Sequence, residues 1–282
     1  MFNYKEKMVE PTILESAKTK QTKYASFKRK NLPFHLKPQY ESVIPLNLFV
    51  TWHTKDLPPF MNRNYELLKQ SNPEFNHFLY DDNECRDFIR ANFDTDVLSA
   101  FDKLIPGAYK ADLWRCCILY IKGGIYIDIK FKCVNNFKLI ALTDKEYLVR
   151  DRKGYGIYNA LMVCNTGAPI LFNVIRQIVR NTQTNFYGEN ALHPTGPYLF
   201  KQFISKNMID HLELYYDDLN EIVTFIVFGN TIVLVHYTEY RREQQRFQKT
   251  LSYTDLWHKR SIYNNQTPIY KPNGSPKVHL YL

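Results

Sequence analysis

Residues Tyr109–Lys130, YKADLWRCCILYIKGGIYIDIK, decide how this chain is read. Up to Lys122 the pattern is helical, and Gly123-Gly124 forms a C-terminal stop. Ile125 to Phe131 follows as a strand. Alternation puts Tyr126, Asp128 and Lys130 on one face and Ile125, Ile127, Ile129 and Phe131 on the other. A carboxylate on the polar face of such a strand sits where α/β sheets bind ligands, at the carboxyl end. The competing reading is a strand-end residue paired with Lys130. Asp112 and Arg115 are three apart and share a helix face, with Lys110 nearby. A surface ion pair would contribute little. Yet Leu113, Trp114, Cys116, Cys117, Ile118 and Leu119 make most of this helix apolar. A charged pair on a largely buried helix points to a site.

Working outward, Ile44 to Val50 is a short apolar run ending in Thr51-Trp52-His53, which predicts a buried strand. A helix over 60–70 and a strand over Phe75–Tyr80 follow. Asn83 is placed to cap a helix over Glu84–Asn92, and 96–104 is helical in pattern. Beyond the central stretch, Ala160–Cys164 reads as a strand and Pro169–Arg180 as a helix. His193–Pro197 is a loop opening another helix. Ile222–Phe228 and Thr231–Tyr237, split by Gly229-Asn230, predict a hairpin. Strands alternating with helices predict an α/β fold whose Rossmann-like central sheet is mostly parallel and flanked by helices. The expected organisation is a basic N-terminal extension (1–42), a catalytic domain (43–264) and a Pro- and Asn-rich tail (265–282).

The 282 residues are 45 % apolar and 15 % aromatic, enough for a sizeable core and inconsistent with a mainly disordered chain. No apolar run reaches the ~18 to 20 residues of a membrane-spanning helix, and the first residues lack a secretory apolar stretch. The five cysteines form no C-x-x-C pair and no zinc-spaced cluster, so they read as buried thiols in a reducing compartment. The net charge is +9. Residues 1–42 hold nine Lys or Arg against four Glu, so much of the excess sits there. This segment reads as a solvated tail or as an arm for an anionic surface. Nucleic-acid binding is not expected and stays a weak alternative, because the basic run Lys28-Arg29-Lys30 is short and next to prolines.

Ala111-Asp112-Leu113-Trp114-Arg115, Tyr120 and Gly123-Gly124-Ile125-Tyr126-Ile127-Asp128 together resemble the A-D-x-x-R…Y-x-x-G-G-x-Y-x-D signature of glycosyltransferases with a DXD sugar-binding region. These are the family 32 enzymes of the yeast initiating α-1,6-mannosyltransferase type and, more distantly, the glucosylating clostridial toxins. Ile44-Pro45 with Thr51-Trp52, Asn72-Pro73, Leu79-Tyr80-Asp81-Asp82, Asn159-Ala160-Leu161-Met162, Thr195-Gly196-Pro197 and Trp257 extend the similarity over roughly 43–260. The resemblance implies a GT-A fold and retaining transfer of a hexose from a nucleotide sugar, UDP-hexose first and GDP-mannose second, to a glycan acceptor. It implies that Trp52 stacks on the base in a pocket lined by Thr51 and His53, with Tyr80 and Trp257 among the substrate-binding residues. Asp112 and Arg115 would hold the sugar or diphosphate. Tyr126 and Asp128 would hold ribose, sugar and metal-bound diphosphate, and Asn159 would lie beside the reacting sugar. Asp128, Asp112 and Arg115 are the implied catalytic residues.

The chain departs from D-x-D at one place: Asp128-Ile129-Lys130 puts lysine where the second aspartate belongs. A charged lysine cannot ligate a metal. The expectation is that Asp128 and a late residue, His236, still hold Mn²⁺ or Mg²⁺ beside the diphosphate, with Lys130 assisting the phosphates. Lys130 as a partial replacement for the cation, and a degenerate site, remain open. The alternative functions are a catalytically degenerate nucleotide-sugar or carbohydrate-binding module and, third, a basic nucleic-acid-binding protein. Relatives of this kind are commonly membrane-anchored, so a chain with no spanning segment is expected in the cytoplasm of a bacterial or virus-infected cell, engaged in polysaccharide biosynthesis.

Overall fold

A computed structural model describes residues 10–152, 156–219, 223–248, 251–266 and 278–279. The first nine residues of the basic extension and most of the expected tail lie outside them. In chain order the elements are α1 (Glu10–Lys30), β1 (Asn47–Thr51), α2 (Pro59–Ser71), β2 (Asn76–Tyr80), α3 (Asp82–Asn92), α4 (Thr95–Lys103), α5 (Gly107–Lys122), β3 (Gly124–Ile127), β4 (Phe131–Cys133), β5 (Tyr147–Arg150), β6 (Ile157–Cys164), α6 (Pro169–Gln183), α7 (Pro197–Phe200), α8 (Lys206–Asp210), β7 (Leu214–Leu219), β8 (Val223–Phe228), β9 (Thr231–His236), α9 (Tyr240–Phe247) and α10 (Tyr253–His258).

The nine strands form one sheet in the order β2-β1-β3-β6-β5-β7-β8-β9-β4. The α/β class and the helix-flanked central sheet expected of a GT-A fold are present. The sheet is mixed rather than mostly parallel. β1–β2, β1–β3 and β5–β7 are parallel, and the other five pairs are antiparallel. A parallel connection needs a crossover of about a dozen residues. The link from β5 to β6 is far shorter, and β7–β8–β9 is a meander whose last turn is the expected Gly229-Asn230 hairpin.

Strand alternation sorts the core onto two faces. Leu48 and Val50 of β1, Ile125 and Ile127 of β3, and Leu161 and Val163 of β6 pack on one side with Met61 and Leu68 of α2. Phe49, Tyr126, Met162 and Cys164 pack on the other with α3, α4, α5 and α6. The α5 helix is buried nearly all round, from Tyr109 to Leu119. It ends at Gly123 (φ +59°), and Gly124 (φ +122°) opens β3 against β1. A Cβ on Gly124 would stand 2.4 Å from the Asn47 carbonyl oxygen, so only glycine permits this approach.

Two expectations are corrected locally. The cap of α3 is Asp81, not Asn83. Asp81 accepts from the Glu84 N–H at 2.9 Å, and the Glu84 carboxylate accepts from the Asp81 N–H at 3.1 Å, a capping box. The strand expected over 125–131 breaks after Ile127. The Asp128 N–H still bonds the Ala160 carbonyl, but a turn closed by Phe131 N–H to Asp128 O then redirects the chain. β4 pairs with β9 at the far end of the strand order.

The α1 helix packs on the sheet. Phe27 meets Phe225 edge-on at 5.3 Å, and Lys23 lies 3.7 Å from Asp218. All five cysteines are free thiols, four of them buried. Among the described residues no helix is long and apolar enough to cross a membrane.

Candidate active site

The parallel strands β1 and β3 end side by side, with Phe49 opposite Tyr126. Beyond their carboxyl ends opens a cavity of about 740 Å³. Its walls are Thr51, Trp52 and His53 after β1, the first turn of α5, the Asp128–Lys130 turn, and residues of α9 and α10. The first turn of α5 has no side-chain cap, leaving backbone donors suited to an anion.

Asp128 is the hub of the floor. The Tyr126 hydroxyl donates to Oδ1 at 2.9 Å, and the Lys130 ammonium donates to Oδ2 at 2.8 Å. Arg115 Nη1 lies 3.5 Å from Oδ1, its guanidinium 4.3 Å above the Tyr126 ring. Burial pushes the Asp128 carboxyl up. The charges of Lys130 and Arg115, with the two hydrogen bonds, more than offset this and hold it below the usual carboxylate range. The Lys130 ammonium would be disfavoured by burial, but Asp128 keeps its pKa above that of an ordinary lysine.

Asp112 and Asn159 do not line the cavity. Asp112 is buried, with Oδ1 accepting from Asn159 Nδ2 and Oδ2 from the Thr195 hydroxyl, each at 2.8 Å. Burial raises its pKa, against the opposing effects of Arg115, Thr195 and Asn159. Arg115 is then fixed from four sides: Asp112 at 3.4 Å, the Asn159 carbonyl at 2.6 Å, the Ala111 carbonyl at 3.1 Å and Asp128. The arrangement delivers a rigid guanidinium to the cavity floor.

Of the other expected residues, Thr51 lines the cavity and donates to the Tyr80 carbonyl at 2.8 Å. Trp52 lines it too, and its ring lies 4.8 Å from that of His53. The Trp52 Nε1–H is buried without an acceptor among the described residues. Tyr80 packs on Trp114 at 4.9 Å instead of facing the cavity. Trp257 stands elsewhere, donating to the Tyr187 carbonyl at 2.7 Å. Lys110, expected near the Asp112–Arg115 pair, lines the cavity; the lining residues not anticipated from sequence are Asp82 and, above all, the α9 face of Tyr240, Arg241 and Gln244. Their signal was the spacing of Tyr240, Gln244 and Gln248, which puts them on one helix face. Helix α9 is pinned by buried Glu243, whose carboxylate accepts from the Phe60 and Met61 N–H groups at 2.9 Å and from the Tyr237 hydroxyl at 2.8 Å. It thus caps the otherwise uncapped α2.

The expected metal pair is not assembled. His236 does not line the cavity, and its Nδ1 accepts from the Thr224 N–H at 3.0 Å. In the neutral ring the proton then sits on Nε2, the only other nitrogen that could ligate. Asp128 has both oxygens bonded and two cations beside it, and among the described residues no group of three or more His, Cys, Asp or Glu could hold a metal. A divalent ion next to the Lys130 ammonium would meet repulsion on the order of several kcal/mol. The donor set does not fit a divalent cation.

Residues 58–148 match the family described as "Glycosyltransferase sugar-binding region containing DXD motif". The chain is 29 % identical over 157 residues to inositol phosphoceramide mannosyltransferase 3 of Schizosaccharomyces pombe, covering 55 % of this chain and 43 % of that protein. It is 23 % identical over 217 residues to an uncharacterised glycosyltransferase of Acanthamoeba polyphaga mimivirus, covering 77 % and 72 %. The chain therefore spans less than half the length of the yeast relative and nearly three quarters of the viral one. Among solved structures, PaToxG glycosyltransferase aligns with a TM-score of 0.46 at 16 % identity, over 67 % of this chain and 76 % of that one. The matched segment holds Asp112, Arg115 and Asp128, so the similarity to the glycosyltransferase sugar-binding region falls on the Gly-Gly-Ile-Tyr-Ile-Asp stretch and the cavity floor.

Proposed function

We propose that the protein is a retaining glycosyltransferase that moves a hexose from a nucleoside-diphosphate sugar to a glycan or glycolipid hydroxyl. The observation that carries this reading is the convergence of Tyr126, Arg115 and Lys130 on Asp128 at the floor of a cavity walled by Trp52, inside the matched region. The unpartnered Trp52 N–H supports a polar ligand at that wall, since a buried donor without an acceptor is costly. In this reading the base lies against Trp52 and His53. The sugar lies over Asp128 and Arg115, and the diphosphate faces the α5 N-terminus. Asp112 and Asn159 act from behind by fixing Arg115. The sugar named for the yeast relative is mannose. That favours a mannosyl donor over UDP-hexose. Lys28 and Arg29, exposed on α1, support contact with an anionic surface near the acceptor.

The test is release of nucleoside diphosphate from UDP-glucose, UDP-galactose and GDP-mannose, with and without mannosyl and glycolipid acceptors. Turnover of one donor, stimulated by acceptor, is expected. Lys130 in the DXD position favours one second reading, a degenerate module that binds donor without cleaving it. Saturable donor binding with no turnover would establish that reading instead.

A further inference from the structure

Lys130 is held as a fixed charge. It bonds Asp128 at 2.8 Å and is ringed by Phe131 at 5.2 Å, Tyr158 at 5.5 Å and Tyr240 at 6.0 Å. An ammonium has three N–H donors, and Asp128 takes one. The other two have no acceptor among the described residues, although the side chain is largely buried and lines the cavity. Around the same cavity stand Arg115, Lys110 and Arg241, against the carboxylates of Asp128 and Asp82. The lining thus carries a cationic excess that matches a diphosphate dianion. The D-x-D position that would complete a metal site is instead a positive charge.

We infer that Lys130, supported by Arg241 on the α9 wall of the same cavity, takes the place of the divalent cation and makes nucleoside-diphosphate binding and sugar transfer metal-independent. The inference rests on the glycosyltransferase reading above. In the step it serves, the bond from the anomeric carbon to the diphosphate oxygen breaks, and its electron pair leaves on that oxygen. Lys130 donates to the phosphate carrying that charge. The acceptor hydroxyl oxygen bonds the anomeric carbon from the same face, and its proton passes to the departing diphosphate. Asp128 remains as the anchor that aims Lys130, which explains why a carboxylate with no room for a metal is still present. Fixed charges of this kind need no reorganisation as the leaving group develops its charge.

The experiment is calorimetric titration of UDP and of GDP into the full chain, in excess EDTA and in Mn²⁺, alongside donor turnover in both. Equal binding and equal turnover in the two conditions are expected. Lys130→Met should weaken nucleotide binding by about 10- to 100-fold, the scale of a lost hydrogen bond to a charged group. Added Mn²⁺ should not restore it. Lys130→Asp, which recreates D-x-D, should bind nucleotide better in Mn²⁺ than in EDTA. Binding by the parent only in Mn²⁺, or undiminished binding by folded Lys130→Met, overturns the inference while leaving the transferase reading intact. The parent comparison requires no variant to fold. Binding of neither nucleotide in either condition overturns the transferase reading and this inference with it.

Discussion

At Asp128 three short contacts meet on one carboxylate, and the consequence of removing it can be stated. Asp128→Asn keeps the shape but loses the charge that orders Lys130 and faces Arg115. Turnover of the preferred donor should fall at least ~100-fold, the scale of losing one preorganised electrostatic group. The thermal unfolding midpoint should fall as well, because the buried Lys130 and Arg115 lose the charge that pairs them, so turnover is compared below that midpoint. Near-parental turnover would remove Asp128 from the site. Arg115 makes a different case. Its nitrogens reach Ala111, Asn159, Asp112 and Asp128 in separate directions, a fork that a lysine cannot reproduce. Arg115→Lys should lose ~10- to 100-fold in turnover, by the worth of charged hydrogen bonds left unmade. A lysine variant indistinguishable from the parent in kcat and KM would show the fork to be incidental. At this scale Asp128 and Arg115 were legible because their residue types sit against an apolar background. The burial of Asp112 behind Arg115 was not, because its partners Asn159 and Thr195 come from far along the chain.

Among the elements, α5 and β3 were readable from local pattern: an apolar helix, a Gly-Gly stop, a β-branched run. The break after Ile127 was not readable, since strand alternation continues unbroken through Phe131. The redirecting force is the pairing of β4 with β9, over a hundred residues later. The same remoteness hid α9, whose Glu243 finds its partners on α2. Two substitutions test these joints. Gly124→Ala places a methyl 2.4 Å from the Asn47 carbonyl at a φ of +122° and should cost about 3 kcal/mol of stability in urea unfolding. A cost under about 1 kcal/mol would show that β1 and β3 separate easily. Glu243→Gln keeps one acceptor and loses the carboxylate at the start of α2. We expect a loss of about 1 to 2 kcal/mol and a raised KM for donor, as α9 loosens at the cavity rim. An unchanged KM would mean that α9 holds its place without this anchor.

For the whole molecule, acid sensitivity follows from its histidines. Burial lowers the pKa of His193 and of His236 from the ordinary 6.5. Glu189 opposes the shift at His193; Arg241 and Lys130 add to it at His236. A histidine held neutral in the fold takes up a proton first when unfolded. The unfolded chain therefore binds more protons as pH drops through 6.5, and stability is lost in that direction. The melting temperature should fall between about pH 7.5 and 5.5, and His236→Gln should flatten that slope. A melting temperature constant across the range would contradict the assignment.

The three-residue turn at 128–130 joins β3 to β4, the last strand in the order of the sheet, and this fixes when the site can exist during synthesis. As the ribosome delivers the chain, β1, β2, β3 and α5 are available early, but β4 has no strand partner until β9 has emerged. Until then the turn bearing Asp128 and Lys130 lacks the β4–β9 pairing and is held beyond β3 by the Asn64 side chain, which donates to the Ile129 and Phe131 carbonyls at 2.9 and 3.0 Å. A nascent chain stalled before residue 231 should leave that turn open to protease, and one stalled well beyond 247 should protect it. The cavity is thus completed by the last third of translation, even though the residues of its floor are made in the first half.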